Sequence, residues 1–176
     1  MSHSYTAAEK GGQETKMLRI YLNDHLTAAT ASVELAHRLR DGHTETAMAV
    51  DLERLAAEAE QDRAALLAVM RSLGVPVSRP RLVAAWLGER AGRLKTNGRL
   101  TTSSPLRTVV ELEGMLLAVQ ARILLWRLLA GLADAPGRLD ADRLEELRFR
   151  AEAQVDLLER LRLRAADEVF RPAPAV

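Results

Sequence analysis

The stretch LAAEAEQDRAALLAVM (55–70) places apolar residues at intervals of three and four and contains neither proline nor glycine. This spacing predicts an α-helix with one buried face. On a helical wheel the buried face centres near Ala59, and Asp62 and Arg63 lie on or beside it. Buried charges need partners, so this helix predicts a polar arrangement inside the fold.

The same helical spacing recurs in three further segments, and no segment shows the alternation of a strand. We predict helices over 15–40, 44–74, 104–130 and 140–169. Gly74 with Pro76 beyond it is typical of a helix end, and Pro105 and Asp140 are typical of helix starts. The sequence thus predicts an all-α fold, with one domain over 16–170 and flexible tails at 1–15 and 171–176.

A connection of nearly thirty residues (75–103) separates helices two and three, whereas short turns join the other pairs. A long connection lets helix three run in the same direction as helix two. The segment RLVAAWLGERAGRL (81–94) within it has the spacing of a short amphipathic helix. We therefore predict a four-helix bundle with a long helical crossover.

Two segments carry a family resemblance. AEQDRAALLAVM (59–70) and AEAQVDLLERLR (151–162) resemble each other and resemble the Glu-x-x-His helices of the ferritin-like superfamily. The resemblance implies a ferritin-like four-helix bundle, a fold whose di-iron members hold metal with inward Glu and His side chains.

The chain departs from that pattern at the residues that would bind metal. The expected Glu is Ala59 in one helix and Ala151 in the other, and the expected His is Asp62 or Gln154. We therefore expect the di-metal site to be lost and no cofactor to be bound.

The wheels predict a set of inward polar residues and an outward face for helix three. The predicted buried polar core is His25, Asp62, Arg63, Glu113, Gln120, Arg127 and Gln154. The predicted exposed face of helix three is Arg107, Glu111, Gly114, Ala118 and Arg122. Arginines among carboxylates predict a self-neutralising core. If a metal site survived, its ligands would be His25, Asp62 and Glu113.

Composition excludes several classes of function. The chain has no cysteine, which excludes disulfides, thiolate metal sites and a Cys nucleophile and fits a cytoplasmic location. Net charge is +1, which does not favour nucleic acid as a partner. The apolar stretch GMLLAVQARILLWRLLAGLA (114–133) is interrupted by Gln120, Arg122 and Arg127, so we predict a buried helix and no membrane span.

The crossover is basic. Residues 71–107 contain eight basic side chains and one acid. We consider a surface there that binds an anionic ligand or partner, formed by Arg79, Arg81, Arg90, Arg93, Lys95 and Arg99.

Helix three is apolar around most of its circumference, which predicts a homodimer or larger homo-oligomer through this helix. The leading functional expectation is a non-enzymatic, metal-free ferritin-like protein with a scaffolding or binding role and no catalytic residues. Two alternatives remain open. One is a divergent metal-dependent oxidase or iron-handling protein, and the other is a binding module that uses the basic crossover.

Overall fold

The computed structural model describes residues 3–78, 105–133 and 139–171, and within them every regular element is a helix. The helices are α1 (His3–Asp41), α2 (Ala49–Ser72), α3 (Pro105–Leu132) and α4 (Ala141–Phe170). The predicted all-α class is confirmed. Helix α1 begins at His3, inside the segment interpreted as a tail, and α2 begins at Ala49 after a turn over 42–48.

The sequence signals at two helix ends act as their chemistry predicts. The Asp140 side chain accepts a hydrogen bond from the backbone N–H of Arg143 at 3.0 Å and so caps α4. At the end of α2, Gly74 has φ +67, and the N–H of Val75 donates to the carbonyl of Met70 at 2.8 Å. This pairing satisfies a carbonyl that the helix end would otherwise leave open.

Polar contacts define the directions of the helices. His43 at the end of α1 lies 3.1 Å from Thr108 near the start of α3, so α1 and α3 are antiparallel. His37 contacts Glu60 of α2 at 2.7 Å, within a second antiparallel pair. Since α2 and α3 both run opposite to α1, they run in the same direction.

The core lies between the four helices and consists of aliphatic side chains and Trp126, which is fully buried. Helices α2 and α4 bury the faces predicted for them, including Ala59, Asp62, Ala151 and Gln154. Short alanine side chains leave room there for the longer polar ones.

Helix α3 is oriented differently from the prediction. Its buried face contains Val109, Leu112, Met115, Val119 and Trp126, and Arg122 lies on that face. Glu113, Gln120 and Arg127, expected inside, are exposed. The expected outward set, Arg107, Glu111, Gly114, Ala118 and Arg122, is buried or half-buried. The physical reason is that α3 has apolar residues on two opposite faces. The face that contains Trp126 is the one that packs into the core.

Candidate functional site

A network of charged and amide side chains crosses the centre of the bundle. Asp62 of α2 is buried, and its carboxylate accepts hydrogen bonds from Arg122 of α3 and Arg150 of α4. Each arginine takes a different oxygen: Arg122 Nη1 donates to Oδ2 and Arg150 Nη2 to Oδ1. The Asp62 cluster, as we call it, is Glu58, Gln61, Asp62, Arg122, Arg150 and Gln154.

Gln154 links the two carboxylates of the cluster. Its Nε2 donates to Asp62 Oδ2 and to Glu58 Oε2, both at 3.0 Å, and its Oε1 accepts from Arg122 Nη1 at 3.2 Å. Both amide hydrogens and the amide oxygen are therefore used. Arg150 makes a further bond to Gln61 Oε1 at 3.2 Å, which holds its guanidinium at the edge of the cluster.

The two carboxylates of the Asp62 cluster have different cationic partners. Asp62 lies between the guanidiniums of Arg122 and Arg150, whereas Glu58 accepts from Gln154 and lies 3.7 Å from Arg54. Burial lowers the pKa of the Arg122 guanidinium, and the carboxylate of Asp62 opposes this shift. A buried ion is tolerated only when its partners and hydrogen bonds offset the loss of water. The cluster meets that condition in part: both oxygens of Asp62 are bonded, and among the described residues Arg150 Nε is buried without a hydrogen-bond partner.

Of the seven polar residues predicted to lie inside, three lie at or beside this centre. Asp62 and Gln154 are in the cluster, and His25 lines a cavity next to it. Arg63 is half-buried and donates to Thr30 Oγ1 at 3.0 Å, away from Asp62.

The other three predicted residues lie on the surface of α3. Glu113 lies 3.7 Å from Arg162, and Arg127 donates to Glu152 at 3.1 Å. Gln120 is exposed. These residues are not part of the Asp62 cluster, and both ion pairs link α3 to α4 in solvent.

Sequence reasoning missed the two arginines that hold Asp62. A usable signal exists for Arg122, since it lies three residues after Val119 and four before Trp126, so all three share one helical face. Arg150 carries no such signal, because it lies at the edge of the buried face of α4 and reaches Asp62 only through its length.

The cluster is unsuited to a metal ion. Both oxygens of Asp62 already accept from guanidiniums, and two cations beside them repel a dication. Within the described ranges, no group of three or more acidic or histidine side chains lies close enough to hold a metal. His25, Asp62 and Glu113 do not form a site, since Glu113 is half exposed and lies near Arg162.

A cavity of about 10 Å³ adjoins the cluster and is lined by His25, Asp62, Arg122 and Trp126 among others. Its size corresponds to a single water molecule. Within the described part of the chain, Trp126 Nε1 is buried and has no hydrogen-bond partner. His25 packs edge-on against Tyr21, with ring centroids 4.5 Å apart. The cavity is too small for an organic substrate.

The partial burial of His25 predicts that stability depends on pH. Burial lowers the pKa of its imidazole below the ordinary 6.5, and the charge of Asp24 opposes this shift. Below about pH 6.5 this imidazole is protonated more readily in the unfolded chain than in the native chain. The free energy of unfolding therefore falls as the pH falls. We expect His25→Gln to flatten this loss between about pH 7 and pH 5, as measured by urea unfolding. Equal slopes for the two proteins would contradict the assignment.

The basic crossover residues Arg79, Arg81, Arg90, Arg93, Lys95 and Arg99, and the segment 81–94, lie outside the described residues. Where the structure describes the chain, one helical segment, Leu106–Leu132, is long and apolar enough to cross a membrane. Core helices of soluble proteins pass the same test.

Comparison of the chain with protein-family models, with curated proteins and with solved structures finds no match. The site is therefore interpreted from the residues of this chain alone.

Proposed function

We propose that this chain is a metal-free protein of ferritin-like architecture with a non-enzymatic, oligomeric scaffolding or binding role in the cytoplasm. The observation that supports this most is the pairing of both oxygens of the buried Asp62 with Arg122 and Arg150. On the ferritin-like interpretation, the two guanidiniums supply positive charge where di-iron members of that superfamily hold their ions, and Asp62 and Gln154 take the places of the two histidines.

The topology supports the architectural part of the proposal. Helices α2 and α3 run in the same direction, as the corresponding helices of ferritin-like bundles do. The closed character of the Asp62 cluster supports the non-enzymatic part at this site, because a catalytic site needs a pocket that admits its substrate. The cavity beside Asp62 holds about 10 Å³ and offers no nucleophile paired with a base.

The metal-free part is tested by metal content. The chain is reconstituted with Fe(II), Mn(II) or Zn(II) in air, desalted and analysed by elemental mass spectrometry. We expect far less than one ion per chain, because the arginines occupy the carboxylate oxygens of Asp62. Asp62→Asn serves as the comparison. Stoichiometric iron or manganese that disappears in Asp62→Asn would contradict the proposal and place a metal in the cluster.

A further inference from the structure

A row of apolar side chains lies on the outer surface of α3. Leu106, Val110, Leu117, Leu124 and Leu128 follow one another at intervals of four and seven, so they lie within roughly 40° on the helix. We call this row the α3 stripe. Leu117 is 65% exposed and Leu124 is 61% exposed, and only 33% of the apolar segment of α3 is buried. A continuous exposed apolar row marks an interaction surface.

Two central residues of the stripe and two charged residues beside it are arranged symmetrically about Gln120. Leu117 and Leu124 lie three and four residues to either side of it, and Glu113 and Arg127 lie seven residues to either side. If a second α3 lies against the first in the antiparallel sense about this midpoint, Leu117 meets Leu124 of the second copy. Glu113 of each copy then lies at the same height along the helix pair as Arg127 of the other copy. The two-fold symmetry gives two such pairs.

The charges beside the stripe favour that antiparallel arrangement. Glu113, Gln120 and Arg127 lie along the same flank, and same-flank residues face each other in an antiparallel helix pair. Within one chain Arg127 donates to Glu152, and Glu113 lies near Arg162. When the two copies join, four side chains form a row of alternating charge. The order is Glu152 and Arg127 of one copy, followed by Glu113 and Arg162 of the second copy. In a parallel pair opposite flanks face each other, so Glu113 and Arg127 of the two copies would lie on opposite edges of the seam and could not pair.

We propose that the α3 stripe is the surface on which a second copy of this chain docks, antiparallel, with Gln120 on the two-fold axis. There the Gln120 amide donates to and accepts from its counterpart. This inference rests on the oligomeric part of the proposed function and specifies its interface. The helix flank that carries Glu113, Gln120 and Arg127 is polar, which argues for a protein partner over lipid.

Sedimentation velocity of the full chain over a range of concentrations tests the interface. We expect a dimer that Leu124→Glu weakens about a hundredfold, because the substitution brings two carboxylates, one from each copy, into the apolar centre of the interface. Glu113→Arg and Arg127→Glu should each weaken it about tenfold, because each places like charges opposite one another. The double variant Glu113→Arg with Arg127→Glu should regain most of the affinity.

The double variant separates the interface from effects within one chain, since its contacts to Arg162 and Glu152 stay repulsive while the contacts between copies are restored. Val50→Glu, at an 83% exposed site on α2, is the control and should leave the dimer intact. Circular dichroism checks that each variant is folded.

The possible failures are distinguishable. A dimer that none of the α3 variants weakens would overturn the interface and leave the oligomeric proposal standing. A chain that is monomeric at every concentration would overturn both. A monomer that sediments with phosphatidylcholine vesicles would overturn the interface and assign the stripe to a membrane surface.

Discussion

Replacing Asp62 by alanine is expected to lower the free energy of unfolding by about 3–5 kcal/mol. The carboxylate is buried and is the only acid that the described structure places against both Arg122 and Arg150. Without it two guanidiniums remain without a carboxylate partner, Arg122 bonded to Gln154 and Arg150 bonded to Gln61. Urea unfolding followed by circular dichroism, at matched protein concentration, measures the loss.

The expected loss arises from the unpaired cations, and a second background tests that cause. In a chain with Arg122→Met and Arg150→Met, Asp62→Ala should cost much less, since no buried cation loses its partner. Glu146→Ala removes an exposed ion pair with Arg143 and should change stability by less than about 1 kcal/mol. An equal cost for Asp62→Ala in both backgrounds would show that the cluster is not electrostatically coupled.

Replacing Trp126 by alanine is expected to cost about 3–5 kcal/mol. Trp126 is fully buried, and its ring forms one wall of the cavity beside Asp62 and Arg122. Removing the ring enlarges that cavity and takes packing atoms from the cluster. The measurement is again urea unfolding at matched concentration.

A conservative variant separates packing from hydrogen bonding at this position. Trp126→Phe keeps most of the ring volume and removes an N–H that has no partner among the residues the structure describes. We expect it to cost far less than Trp126→Ala. If Trp126→Phe were as damaging as Trp126→Ala, the indole N–H would have to make a bond, and a water in the cavity would be its acceptor.

The sequence predicts the parts of the fold that have a single apolar stripe. On α2 and α4 the leucines and alanines occupy one face, so the wheel has one solution, and Asp62 and Gln154 lie where it places them. The helix starts near Pro105 and at Asp140 were predictable for the same local reason, because capping depends on neighbours in the chain.

Helix α3 shows where such reasoning ends. It carries two apolar rows on opposite sides, one with Val119 and Trp126 and one with Leu117 and Leu124. Periodicity cannot choose between them, since either row would make a buried face. The choice of the first row brought Arg122 inside and left Glu113 and Arg127 in solvent. Partners such as Arg150 depend further on how the helices align along the bundle, which no single segment encodes.

The Asp62 cluster has a consequence for how the chain reaches its native state. Its bonds join residues 60, 88 and 92 positions apart in sequence, across three helices. Each helical pair can collapse through nearby contacts, but the cluster forms only when the pairs dock in the correct register. If one helix shifted by one turn along its neighbours, the guanidiniums would be buried among leucines without a carboxylate partner. That burial would cost free energy that a shift in purely apolar packing would not. The cluster thereby selects one docked arrangement over its shifted neighbours.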